Sequence, residues 1–471
     1  MKKIKTFIVK LFIAFFLFIF SFVLSQEIPN EFYNFKINKI YYDNGNNWTK
    51  LSTFGPNRFY KSFNKTSQIH DSLNFDFRIG AILKNNNTAL YGYENISFKK
   101  YFYAYLYARV VDKPNAFPRF TGLPRNIDRS GYVSGETDMS GLGFQNEWLI
   151  LQMGRGRQSW GAGNDIQLAL SENSPSYDYG LLGLSFKNIR FRYFHGFLGS
   201  DSLTYNRYIT SKGLEYSNLK SFIFSISEIT IYSGINRSID LSYLNPVSSH
   251  LEIELNDRQN RLGTKSGNSV WQLCLDWLII PKLRLSGNFL IDEYVIDKND
   301  NPYYGKSRYA YSSKISYSND GRKDFIKVFY FSSVYIGPLT FRHGDGKNNF
   351  VVRGKPLGWN WGSHTNELKI GVDLLYKLKI ISNVEIGHRF VGKNTINSNP
   401  YMSHFPFMDD NSVNISDESE GLFFSCHNQW WLKPEFSILC SLEWVNYTNK
   451  VDDFIFNIGI DVYLPKRFRS K

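Results

Sequence analysis

The densest group of chemically able side chains lies at Gly154-Arg155-Gly156-Arg157-Gln158-Ser159-Trp160-Gly161-Ala162-Gly163. Arg155 and Arg157 offer guanidinium forks for anion contact, and Trp160 offers a flat face for stacking. Four glycines permit turns and close backbone approach. The spacing fits neither a dinucleotide fingerprint nor a phosphate loop. Two readings stand: a bulged, glycine-kinked strand turning a barrel corner, or a ligand contact through Arg155, Arg157 and Trp160.

A second group is Tyr243-Leu244-Asn245-Pro246, followed by His250, Glu252, Glu254, Asp257 and Arg258. On a strand, Glu252 and Glu254 would share one face, and paired carboxylates can work on a glycosidic bond. A solvated loop edge is the preferred reading. Neither GxSxG nor HExxH occurs, so no catalytic residue, metal site or cofactor is assigned. Loop aromatics gather at Tyr303-Tyr304, at Trp359 and Trp361, and at Tyr401, Phe405 and Phe407. Arg342, His343, Lys347, Arg353 and Lys355 lie near the second of these groups. Ring faces beside cations suit acidic sugars; packing at an interface girdle would use the same residues.

The elements that carry these groups read as strands. Phe456, Ile458, Ile460, Val462 and Leu464 alternate with Asn457, Gly459, Asp461 and Tyr463, and Leu368, Ile370, Val372 and Leu374 alternate with Glu367, Lys369, Gly371 and Asp373. Such a segment has one apolar and one wet face. Candidate strands are 271–280, 283–295, 308–317, 324–335, 364–378, 382–391, 420–431, 435–446 and 453–464. Earlier candidates are 73–81, 88–98, 100–112, 142–153, 178–187, 189–197, 208–217 and 219–240, the last taken as two. Residues 154–177 read as irregular. Connections alternate between tight turns and long loops rich in Asn, Gly and Pro, and counting back from a periplasmic C-terminus puts every long loop outside. The expectation is an all-β, antiparallel outer-membrane barrel of about 18 strands, within a range of 16–18, over residues 69–471.

Composition agrees. Residues 1–25 have Lys2, Lys3 and Lys5 before an apolar run to Leu24, the pattern of a signal peptide. Residues 26–68 carry no sustained period and are expected to be a periplasmic lead-in or part of a plug. No later stretch is long and apolar enough for a membrane helix. The mean hydropathy of −0.33 fits strands that are half polar, and the 17% aromatic content fits interface girdles. Cys274, Cys426 and Cys440 fall in strands with no metal-ligand spacing. The net charge of +13 in an exported chain points away from nucleic acid, toward an anionic polysaccharide or anionic lipid headgroups. The chain is expected to be a monomer in outer-membrane lipid.

Several motifs, in order, resemble the Wzi-type capsule assembly family. They are Gly156-Arg157-Gln158-Ser159-Trp160-Gly161-Ala162-Gly163 with Leu168-Ala169-Leu170-Ser171, then Tyr243-Leu244-Asn245-Pro246, and Asn268-Ser269-Val270 leading to Phe289-Leu290-Ile291-Asp292-Glu293. The last is Lys355-Pro356-Leu357-Gly358-Trp359-Asn360-Trp361-Gly362. Lys212-Gly213-Leu214-Glu215 stands where members often have a His-Arg pair. The resemblance implies an 18-stranded barrel that holds capsular or exopolysaccharide at the cell surface without catalysis. The saccharide contacts would be Arg155, Arg157, Trp160, Asn245, Arg342, Arg353, Trp359 and Trp361. A porin or sugar channel is the first rival. An outer-membrane enzyme on lipid or glycan, or a soluble glycan-binding protein, would come after it.

Overall fold

A computed structural model describes residues 51–55, 73–99, 101–117, 120, 122, 131–200, 205–259, 267–292, 308–322, 325–343, 346–377, 379–392, 396, 418–448 and 453–469. The expected signal peptide lies outside them, as does the 26–68 segment apart from residues 51–55.

The described residues form one closed barrel of 18 antiparallel strands. In chain order they are β1 (Leu73–Lys84), β2 (Asn87–Phe98), β3 (Phe102–Val111), β4 (Ser134–Gln145), β5 (Leu149–Gly156) and β6 (Tyr177–Phe186). Next come β7 (Ile189–Ser200), β8 (Tyr205–Ser217), β9 (Phe222–Ile235), β10 (Asn268–Ile280), β11 (Leu283–Ile291) and β12 (Tyr309–Arg322). The last six are β13 (Phe325–Ile336), β14 (Thr365–Tyr376), β15 (Ile380–Val391), β16 (Ser419–Lys433), β17 (Phe436–Tyr447) and β18 (Asp453–Arg469). β18 closes on β1, from Asn74 opposite Arg469 to Lys84 opposite Gly459.

Alternation places the residues. On β10, Trp271, Leu273 and Trp277 are exposed, while Gln272, Cys274 and Asp276 between them are buried. An exposed apolar row of this kind recurs around the wall, as Phe329 and Phe331, Leu368 and Ile370, and Phe454, Phe456 and Ile458. In water these rows would be costly; against lipid they are the expected outer surface. The inward rows carry both charges in pairs: Arg284 with Asp276, Arg389 with Glu367 at 2.6 Å, Lys369 with Glu385 at 3.4 Å, and Arg78 with Asp76 at 3.3 Å. The three cysteines are free.

Every connection at one end, the periplasmic end by the barrel rule, is tight, and all long ones lie at the other, together with the two-residue β1–β2 turn. Three sequence readings change. Residues 142–153 are not one strand but the end of β4, a turn and the start of β5. Gly141 and Gly143 interrupt the apolar rhythm of β4 because the Tyr105 and Tyr103 hydroxyls occupy the space a side chain would take. Residues 219–240 hold one strand, β9, not two. Glu252 and Glu254 lie on a helix rather than a strand: after β9 the chain forms α1 (Leu241–Leu244) and α2 (His250–Leu255). Asp240 and Ser249 start these helices by accepting the Ser242 and Glu252 N–H groups at 3.0 and 3.2 Å.

Candidate functional site

The glycine–arginine–tryptophan motif does not turn a corner of the wall. β5 ends at Gly156, and residues 157–176, an outer connection, fold into the lumen as a plug. Arg157 fastens its first turn. Its Nη1 and Nη2 donate to the two Asp138 oxygens at 3.2 and 2.5 Å, and its Nε donates to the Ser174 carbonyl at 2.8 Å. Trp160 is 0% exposed. It packs between Phe54 and Phe194, with ring centroids 4.6 and 5.4 Å away. Arg157 and Trp160 therefore anchor the plug and present no face to the outside.

Polar lumen residues grip the plug through its backbone, as buried peptide groups require. Asn288 on β11 accepts from the Ala162 N–H at 2.7 Å and donates to the Ala162 carbonyl at 3.0 Å. Ser312 on β12 donates to the Ile166 carbonyl at 2.7 Å, and Gln272 on β10 donates to that of Trp160 at 3.2 Å. Residues 51–55 meet the plug from another direction. Leu51 packs on Ile223 near the periplasmic end of β9. The Thr53 N–H and hydroxyl donate to Glu215 on β8 at 2.6 and 2.7 Å. The Thr53 carbonyl accepts from Gly161 at 2.9 Å. Nothing in the sequence marked Asn288 or Ser312 beyond their places on wet strand faces, and Glu215 stood out only as the end of Lys212-Gly213-Leu214-Glu215.

The outer loop 337–364 seals the plug from above. Trp359 N–H donates to the Leu168 carbonyl at 2.9 Å, and Ser171 N–H donates to the Leu357 carbonyl at 2.8 Å. Gly358 is required at this contact, since a Cβ there would lie 1.8 Å from the Leu168 carbonyl oxygen. Arg207 on β8 holds the loop through three carbonyls, Lys347 and Asn349 at 2.7 Å and Val351 at 2.9 Å. Phe341, Phe350, Val352 and Leu357 complete one apolar core with the plug residues Ile166, Leu168 and Leu170. Across the barrel, Tyr91, Tyr93, Tyr103, Tyr105, Tyr107 and Tyr463 fill the lumen near β1–β4.

Among the described residues, cations and aromatic rings stand at the mouth. Val351 pairs with Pro356 and Val352 with Lys355, which leaves Arg353 and Gly354 at a two-residue tip with φ of 51° and 72°. Positive φ at both positions suits a type I′ turn. Arg353 and Lys355 are exposed. Partial burial and the nearby Arg155 cation hold the Arg353 guanidinium below its usual range, against the pull of Glu136 and Asp178. Those neighbours place the tip over the rim of β4–β6. Arg155 shares the outward face of β5 with Leu151 and Met153; it donates to the Thr137 carbonyl at 3.0 Å and pairs with Asp178 at 3.1 Å. Trp361, 37% exposed, stacks on Arg389 at 4.2 Å. Trp359 is 8% exposed. Arg342 donates to the Pro338 carbonyl at 3.4 Å within the loop. Asn245 is away from the mouth, accepting the Val247 N–H at 3.1 Å in the α1–α2 turn. Among the described residues, no cluster of His, Cys, Asp and Glu could hold a metal ion.

The barrel has the fold of Wzi. That Escherichia coli protein, an outer membrane protein involved in group 1 capsule assembly and a carbohydrate-binding β-barrel, superposes with a TM-score of 0.63. The alignment covers 93% of this chain and 99% of Wzi at 11% identity. OprD of Pseudomonas aeruginosa overlaps more loosely, with a TM-score of 0.43 over 84% of this chain and 95% of that one, also at 11% identity. No family model matches the chain, and no curated protein matches it. The likeness to Wzi establishes the architecture, an 18-stranded outer-membrane barrel.

Proposed function

We propose that this barrel binds a polysaccharide at the outer cell surface and helps attach capsule or exopolysaccharide there, with no chemical step. The observation that carries this reading is the sealed plug beneath a cationic mouth. The lumen is spent on packing, while the outward surface offers Arg353 and Lys355 at a rigid tip and the exposed edge of Trp361, with Arg155 paired to Asp178 at the rim beneath. Arg342 and Trp359 support the loop from below. Exposed guanidinium and ammonium groups beside an indole suit an anionic glycan, which is bound more weakly as salt screens the charges. A single chain closes the wall and completes the mouth, so a monomer suffices.

The test is a strain lacking the protein, complemented with wild type or with Arg353→Asn, Lys355→Gln and Trp361→Ala combined. Asparagine tolerates the positive φ of the tip, so the hairpin is kept. Surface-attached polysaccharide should fall several-fold with total polysaccharide unchanged, the difference appearing in the medium. Wild-type attachment in the variant, or loss of synthesis, would contradict the proposal.

A further inference from the structure

Around β8 and β9 the wall departs from its own rule. The opposed pairs Tyr216–Phe224 and Leu214–Ile226 face outward and are exposed, as a lipid surface requires. Further toward the mouth, on the same outward face, come Lys212–Glu228, Thr210–Thr230 and Tyr208–Tyr232. Lys212 Nζ lies 2.7 Å from the Glu228 carboxylate, and the two side chains are only 16% and 1% exposed. Lys212 is five residues from Ser217, the periplasmic end of β8. At about 3.3 Å per residue and a tilt of about 40°, the pair stands roughly 13 Å up an apolar band about 25 Å tall. A bare charge at that depth is strongly disfavoured.

The connection after β9 covers it. Residues 236–259 come down the outside of the wall. The Ser248 carbonyl accepts from Lys212 Nζ, and the His250 N–H donates to both Glu228 oxygens at 3.1 Å. Tyr193 on the outward face of β7 donates to the Tyr243 carbonyl at 3.1 Å. Tyr243 stacks on Tyr232, 4.3 Å between centroids and 10° between planes. Arg237 lies 4.7 Å over the Tyr232 ring and pairs with Asp240 at 3.1 Å. α2 then climbs back toward the mouth, where Glu254 accepts the N–H of Gly267, just before β10, at 2.7 Å. Its exposed charges, Arg258 paired with Glu252 at 2.5 Å, sit on this rising part.

The other side of the excursion is apolar and uncovered. Leu241 is 80% exposed, Val247 81%, Leu251 61% and Leu255 75%. We infer that residues 236–259 lie within the bilayer as an external collar, with acyl chains of the outer leaflet as the partner of this face. The apolar surface runs on from the lipid-facing Leu214, Ile226 and Leu273, and the ion pair behind it requires a permanent cover at membrane depth. Helix caps at Asp240 and Ser249 satisfy backbone groups that lipid could not.

Spin labels at Val247→Cys, Leu251→Cys and Leu255→Cys, each in full-length protein with Cys274, Cys426 and Cys440 changed to Ala, test this in phospholipid vesicles. Labels at Ile226→Cys and Arg353→Cys supply the lipid and water references. Heat-modifiable gel migration selects folded protein, and three positions guard against one misfolding variant. Labels on the collar should show high oxygen and low nickel-chelate accessibility, matching position 226. Nickel-chelate accessibility like that at position 353 would overturn the inference. Low accessibility to both reagents with dipolar broadening would overturn it too, showing a second copy on this face.

Discussion

At the scale of single residues, the plug rests on contacts whose removal has calculable consequences. Arg157 and Asp138 are a buried, bidentate pair, and Arg109 also reaches Asp138 at 3.3 Å. Breaking a buried pair from one side leaves an uncompensated charge and costs about 3–5 kcal/mol. Arg157→Met should therefore lower the unfolding free energy in lipid vesicles by about that amount. Arg157→Met with Asp138→Leu should cost less than Arg157→Met alone, because no orphan carboxylate remains and Arg109 keeps Glu136 at 2.5 Å. A double variant less stable than the single would show that packing, not charge, dominates the site. Gly358→Ala acts sterically. Its new methyl would meet the Leu168 carbonyl and part the loop from the plug, a loss of about 1–3 kcal/mol. Faster proteolysis of loop 337–364 should report it. Gly92→Ala, where a Cβ meets nothing within 4 Å, should behave as wild type.

At the scale of elements, the outer loop is tied to the wall by a group that titrates near neutrality. Asp292, just beyond β11, accepts the Phe341 N–H where the loop begins its descent. Burial pushes its carboxyl up to about 7, while that N–H and the Arg308 cation pull partly the other way. The unfolded value is about 3.9. Between the two, the folded state binds more protons than the unfolded one, so stability falls as pH rises through this window. The contribution is full below about pH 4 and lost as pH passes about 7. Hydrogen exchange of the loop amides, corrected for its intrinsic pH dependence, should therefore reveal a looser loop at pH 8 than at pH 5. Asp292→Asn should flatten that difference. An unchanged pH dependence in the variant would assign the effect to another group.

At the scale of the whole molecule, the wall was legible in the sequence and its contents were not. Alternation marks a strand wherever one face meets lipid, which is why 453–464 and 364–378 read so directly. It failed at β4, where Gly141 and Gly143 make room for tyrosine rings, and along β9, whose outward face carries Glu228, Thr230 and Tyr232 beneath the α1–α2 excursion. The motif at 154–163 is dense in chemically able residues, but local spacing cannot show that it turns inward. That depends on Glu215, Gln272, Asn288 and Ser312, which are distant in sequence and ordinary in type. Arg155 and Arg157, two residues apart, end on different sides of the wall because the strand stops between them. The plug also decides between holding and passing a solute. Gly156 and Tyr177 are direct partners on β5 and β6, so residues 157–176 can be replaced by a tight Asn-Gly turn without moving either strand. In planar bilayers the full chain should pass little current, because the plug, the loop and residues 51–55 share one packed interior. The shortened chain should pass a steady, larger current, since Gln272, Asn288, Ser312 and Lys314 would then line a wet path. A large current from the full chain would make the porin reading the better one. A folded but silent shortened chain would mean that loop 337–364 closes the mouth without the plug beneath it.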